Sequence, residues 1–189
     1  MSARADLARV FRTPSPAVQP GHVAFNRPYT TGGEFAYISD AIRNGRLSGN
    51  GPFAARCAAW LEGQTGALRV MMTHSATGAL EMAIILARIG PGDEVIMPSF
   101  TFVSTANAVA LRGGVPVFVE GREAEDFRIT AQMIEAAITP RTKAIILNTP
   151  SNPSGAVVSP ADLEAIVRLA HSRGIYVLLD ECYVYLNYT

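Results

Sequence analysis

Lysine is almost missing from this sequence: of 16 basic residues only Lys143 carries an amine, and the others are arginines. Sixteen acidic residues bring the net charge to zero, and the sequence shows neither the basic stripe of a nucleic-acid binder nor the long acidic run of an interaction tail. Cysteine is scarce too. Cys57 and Cys182 lie far apart, at no metal-ligand spacing, so the chain has no disulfide framework and a cytoplasmic setting fits it. The three histidines, His22, His74 and His171, are equally scattered, and no metal site is expected. No apolar run reaches the roughly 18 residues of a membrane helix. Residues 1–22 lack the apolar centre of a secretory signal. With Arg4, Arg9 and Arg12 followed by Pro14, Pro16 and Pro20, they read as a loose N-terminal extension whose arginines also allow organelle targeting.

What remains is ample material for a core. Hydrophobic residues make up 49% of the 189-residue chain and charged residues 17%, a composition of folded rather than disordered chains and a length that fits one domain. The stripe Phe35, Ile38, Ala41 and Ile42, closed by Gly45, predicts a first helix. Pro52 at a first-turn position, with Phe53, Cys57, Trp60 and Leu61 on one face, predicts a second. From there apolar strands alternate with helices. Strands are expected over 68–73, 94–97, 115–119, 143–147 and 175–179, and helices over 79–89, 105–111, 131–138 and 159–172. The last helix has the clearest signals: Ser159, Pro160 and Asp162 at its start and Gly174 at its stop. Strands apolar on both faces, each followed by a helix, predict an α/β fold with a mostly parallel sheet covered on both sides.

In such sheets ligands bind beyond the carboxyl ends of the strands, so the following loops are the places to search. The first, Thr73-His-Ser-Ala-Thr-Gly-Ala79, leads into a helix start, where backbone N–H groups and the helix dipole suit a phosphate; Thr77 adds a hydroxyl and Gly78 permits close approach. An ordinary helix cap accounts for the same residues. The next loop offers Phe100 or Phe102 as a surface for a flat ring, although an aromatic at a strand end is commonly core. The loop Asn148-Thr-Pro-Ser-Asn-Pro-Ser-Gly155 is a rigid polar turn. In the last, Asp180-Glu-Cys-Tyr183, a carboxylate directly after an apolar strand wants a cationic partner.

These stretches carry a resemblance. "SGNGPFAARCAAWLE", "HSATGALEMA" and "GPGDEVIMPSFTFVSTANAVALRGG" make residues 25–120 similar to the sugar aminotransferases of the DegT/DnrJ/EryC1/StrS family, with greatest likeness to the branch forming dTDP-4-amino-4,6-dideoxygalactose. From about residue 138, the Asn-Pro-x-Gly turn and the Asp-x-x-Tyr pair resemble instead the class I, aspartate-type aminotransferases. Sugar aminotransferases usually have a His-containing segment where this chain has residues 148–155. Both halves imply one fold, the large domain of pyridoxal-phosphate (PLP) fold type I over residues 23–189, and one cofactor, pyridoxal 5′-phosphate. By that resemblance Thr77 and Gly78 hold the phosphate, Phe102 stacks on the ring, Asp180 pairs with the ring nitrogen, and Asn152 and Tyr183 bond the ring's O3′ oxygen. It also implies a homodimer, a small-molecule substrate, and a Schiff-base lysine beyond Thr189, so that the chain reads as a C-terminally truncated large domain, inactive by itself and without its small domain. A keto sugar linked to a nucleotide is the substrate if the first half decides, and an amino acid or keto acid if the second does. A non-catalytic PLP-binding remnant is the third reading.

Overall fold

The computed structural model describes Gly21 and residues 29–187. Apart from Gly21, the expected N-terminal extension lies outside the described residues. The chain divides into two compact units, residues 1–55 and 56–189.

In the first unit, helix α1 covers Glu34–Arg43. Its start is closed by the Glu34 carboxylate, which accepts the N–H groups of Thr31 and Gly32 at 2.6 and 2.9 Å. Those bonds hold the Glu34 carboxyl down at about 2, because they favour its charged form. The apolar stripe forms as the spacing predicts, yet Phe35, Ile38 and Ile42 stay about half exposed. Helix α2, Pro52–Thr65, starts in this unit at the expected proline and continues past its boundary at residue 55; Phe53 meets Tyr37 edge to face with ring centroids 5.5 Å apart.

The second unit is built on four strands: β1 Glu94–Pro98, β2 Val115–Val119, β3 Thr142–Asn148 and β4 Tyr176–Asp180. They form one parallel sheet in the order β2-β1-β3-β4. Helices α3 (Ala76–Leu86), α4 (Val103–Ala110), α5 (Ala131–Ala137) and α6 (Pro160–Arg173) connect or precede the strands. Alternation along the strands divides the core in two. Val95 and Met97 of β1 and Ala144 and Ile146 of β3 join Ile84, Ala108 and Val109 from α3 and α4. Ile96, Ile145 and Leu147 face the other way and join Ile134, Ile166 and Ala170 from α5 and α6. The sheet is therefore covered on both faces, as strands apolar on both sides require. Helix α6 shows the local code most plainly: the Ser159 hydroxyl accepts the Asp162 N–H at 3.1 Å, Pro160 takes the first turn, and Gly174 stops the helix at φ 66°.

One expected strand does not form. Residues 68–73 have no ladder partner among the described residues, and Leu68 is 92% exposed. An apolar run becomes a strand only when a neighbour satisfies its backbone, so the described sheet has four strands instead of five. Helix α3 also begins three residues earlier than expected, because Ser75 caps it by accepting the Gly78 N–H at 3.1 Å.

The amino ends of the strands are tied by charge. Buried Glu94 binds the Thr139 hydroxyl and the Arg141 guanidinium. Lys143 Nζ donates to Asp93 Oδ2 at 2.9 Å and to the Arg88 carbonyl at 2.6 Å.

Candidate functional site

The register aligns Pro98 with Val119 and Asn148 with Asp180, so the carboxyl ends of all four strands lie along one edge. The loops that follow bring the expected residues to that edge in two groups.

The first group forms where two helices begin. Thr77 Oγ1 and Ser104 Oγ share a hydrogen bond of 2.9 Å, which ties the start of α3 to the start of α4. Since α4 follows β1, this bond places Thr77 and Gly78 at the carboxyl end of the sheet. A helix start leaves its first N–H groups without intrahelical partners; Ser75 satisfies Gly78, which leaves those of Ala76 and Thr77 to an outside acceptor. At Gly78 an added Cβ would come within 3.3 Å of the His74 ring, so glycine keeps the approach open. Phe102 stands immediately before α4 with its ring 53% exposed. That answers the question of core against surface: this ring is not core.

The second group is a network. Asn148, the buried last residue of β3, accepts the Asn152 N–H on Oδ1 and donates from Nδ2 to the Asp180 carbonyl at 3.2 Å. The Thr149 N–H donates to the same carbonyl at 3.0 Å. Asn152 Nδ2 in turn donates to the Tyr183 oxygen at 3.1 Å. Asn152 and Tyr183 share a cavity of about 310 Å³ with Pro150, Ser151, Pro153, Gly155 and Leu186; Thr77, Gly78, Phe102 and Asp180 are not among its lining residues. The peptide bonds before Pro150 and Pro153 are both cis.

Asp180 is half-buried. Its Oδ1 accepts the Cys182 N–H at 3.2 Å, and no Lys or Arg among the described residues pairs with it. The cationic partner expected for it is thus not found among the described residues. A hydrogen bond from the Cys182 thiol itself to this carboxylate, with burial and charge repulsion behind it, pushes the thiol up to about 11. Alkylation of Cys182 at pH 8 should therefore run on the order of a hundredfold slower than for an ordinary thiol near 8.5, and Asp180→Asn should accelerate it. Equal rates in the two proteins, read by mass spectrometry of the peptide, would disprove the contact.

Two members of the site carry signals that motif reading passes over. Asn148 is a polar residue closing an otherwise apolar strand, and Ser104 is a buried hydroxyl on the first turn of α4. Each holds an expected site residue in place.

The chain belongs to the DegT/DnrJ/EryC1/StrS aminotransferase family, whose model matches residues 28–184. It is 46% identical over 97 residues to the aspartate aminotransferase of Geobacillus stearothermophilus, covering 51% of this chain and 25% of that protein. Among solved structures, aspartate aminotransferase from Thermus thermophilus with maleate shares 40% identity, with a TM-score of 0.56 over 60% of this chain and 29% of the other. The aromatic aminotransferase of Pyrococcus horikoshii shares 33% identity, with a TM-score of 0.66 over 78% and 42%. The chain spans about a quarter to a third of the length of the curated relatives it matches. Family membership implies pyridoxal 5′-phosphate as cofactor.

The residues present fit that group. The helix start of α3 offers N–H donors and hydroxyls for a phosphate, and Asp180 has no cationic partner among the described residues, a role that a protonated ring nitrogen would fill. Strands β1, β3 and β4 are neighbours, so the two features lie along the same edge of the sheet. No helix among the described residues is long and apolar enough to cross a membrane.

Proposed function

We propose that this chain is the cofactor-holding part of a PLP-dependent aminotransferase that acts on a nucleotide-linked keto sugar. The observation that carries the cofactor reading is the placement, along one sheet edge, of the α3 helix start and a carboxylate with no cationic partner among the described residues. In this reading the Ala76 and Thr77 N–H groups and the Thr77 hydroxyl hold the phosphate. The Phe102 ring covers one face of the pyridine, Asn152 and Tyr183 hydrogen-bond O3′, and Asp180 keeps the ring nitrogen protonated by a charge-assisted bond. The bound cofactor supplies an electron sink for bond cleavage at the amine-bearing carbon of the substrate. The sugar substrate rests on the likeness of residues 25–120 and on the family model. A second reading, transfer between amino and keto acids, is favoured by the 46% identity to an aspartate aminotransferase and by the Asn152–Tyr183 bond. A homodimer is part of either reading.

Binding tests this without turnover. The 189-residue chain should take up one equivalent of pyridoxamine 5′-phosphate, followed by cofactor fluorescence, and bind pyridoxamine without its phosphate at least about tenfold more weakly. Thr77→Val should cost several-fold, in line with the roughly 1 kcal/mol of one hydrogen bond. Equal affinity for the two ligands would remove the phosphate site. With cofactor bound, a dTDP-linked sugar protecting the chain from proteolysis supports the sugar substrate, whereas protection by maleate alone supports the amino-acid reading.

A further inference from the structure

Two consecutive non-glycine residues, Asp126 and Phe127, hold left-handed backbones with φ 54° and 56°. Aspartate tolerates that region, but a bulky aromatic residue stays there only where its surroundings fix it. Here they do. The Phe127 N–H donates to the Arg122 carbonyl at 2.9 Å, closing a turn around the short 3-10 helix Glu123–Glu125. A Cβ at Gly121 would stand 2.2 Å from the Phe127 carbonyl oxygen, so only glycine lets the two backbones lie this close.

What this conformation accomplishes is the placement of one ring. Phe127, half-buried, meets Phe100 with centroids 4.4 Å apart and planes tilted by 44°, close to the range of favourable aromatic pairs. Phe100 belongs to the loop after β1, two residues before Phe102. Phe127 also lines, with Leu147, Asn148 and Ser151, a cavity of about 20 Å³, which has room for about one water. One residue thus reaches both the loop that carries Phe102 and the loop that carries Asn152. Its own segment is the loop after β2, the strand end at which the sequence motifs place no site residue.

We propose that Phe127 is a positioning residue for the cofactor pocket. It braces the loop after β1 against the loop after β3 and so sets the separation of the Phe102 ring from Asn152. The functional part of this rests on Phe102 being the stacking surface; the brace itself rests on geometry alone. Bulk at Phe127 matters because its ring packs on Phe100 and the residue shares a small cavity with Ser151, between loops that lie past the end of the β1–β3 ladder at Ile96 and Ile145.

Two measurements on the 189-residue chain test it. Amide exchange is read first, without ligand, at Ser99, Ser151 and Asn152, whose N–H groups are hydrogen-bonded to the Val119 carbonyl, the Ala156 carbonyl and Asn148 Oδ1 respectively. Phe127→Ala should speed all three by about tenfold or more, and Phe127→Tyr, which keeps the ring, should restore them. Faster exchange confined to residues 121–130 would overturn the brace. Where Phe127→Ala does not fold, Phe127→Leu serves for the same readout. Pyridoxamine 5′-phosphate affinity is read second: Phe127→Ala should weaken it about tenfold, but at most about twofold in a Phe102→Ala background, because the brace acts through Phe102. Equal losses in both backgrounds would overturn the positioning role. A wild-type chain that does not bind the ligand at all would refute the cofactor reading, with the exchange result still deciding the brace.

Discussion

Supplied with pyridoxal 5′-phosphate, an amino donor and a keto acceptor, the purified 189-residue chain will turn over no substrate. Transamination by this chemistry needs a side-chain amine that bonds covalently to the cofactor and then moves a proton. Lys143 is the only amine side chain in the sequence, and the structure holds it at the wrong end of the sheet. It is the second residue of β3, while the site begins at Asn148, the last residue of the same strand. Five residues of extended chain separate them, about 16 Å, far beyond the reach of a lysine side chain. Its ammonium is also engaged, by Asp93 and by the Arg88 carbonyl. Lys143→Ala should therefore lower stability while leaving pyridoxamine 5′-phosphate affinity within about twofold of wild type. Transamination above the rate of free cofactor, abolished by Lys143→Ala, would refute this placement.

The sheet was legible because its strands are apolar on both faces and each ends in a loop of small, hydroxyl or turn residues. The same patterning that marks 94–97 and 143–147 as strands sends Val95 and Met97 to one layer and Ile96 to the other, which fixes where the helices must pack. Residues 68–73 misled for a physical reason. Their hydropathy is that of a strand, but pairing is a property of the neighbour, and hydropathy says nothing about whether one is present. Apolar periodicity points to a late start for α3 because it marks the middle of a helix, whereas the Ser75 cap sets where the helix begins.

Within the site, the residues named by motif are those with open chemistry: an exposed ring at Phe102, a carboxylate at Asp180, an amide and a phenol at Asn152 and Tyr183. The residues that hold them are harder to see. Asn148 looks like the first residue of a turn, yet it is buried and satisfies both Asn152 and Asp180. Ser104 looks like one hydroxyl among several, yet its bond to Thr77 joins segments 27 residues apart in sequence. Phe127 follows no motif and is conspicuous only through its positive φ. Positioning residues act through geometry, and geometry between loops distant in sequence is what a linear reading cannot supply. The family model runs from residue 28 to 184, across both stretches whose resemblances differ.

Asp180→Asn should separate ring recognition from phosphate recognition. The substitution keeps the size of the side chain and an oxygen able to accept the Cys182 N–H, but removes the charge. If the carboxylate bonds a protonated ring nitrogen, the loss is that of a charge-assisted hydrogen bond, about 1.5–3 kcal/mol, or roughly ten- to hundredfold in affinity for pyridoxamine 5′-phosphate. Because Asp180 is only half-buried, the smaller end of that range is expected. Benzyl phosphate supplies the control, since it has a ring and a phosphate but no ring nitrogen; its affinity should be the same in both proteins. The pH dependence follows with a definite sign. Wild-type affinity should fall as pH rises through the point at which the bound ring nitrogen loses its proton, because the bond then loses its charge. In Asp180→Asn the same rise should have little effect. A variant that weakens both ligands equally would make Asp180 a support for the loop rather than the partner of the ring, and one that weakens neither would place the ring elsewhere.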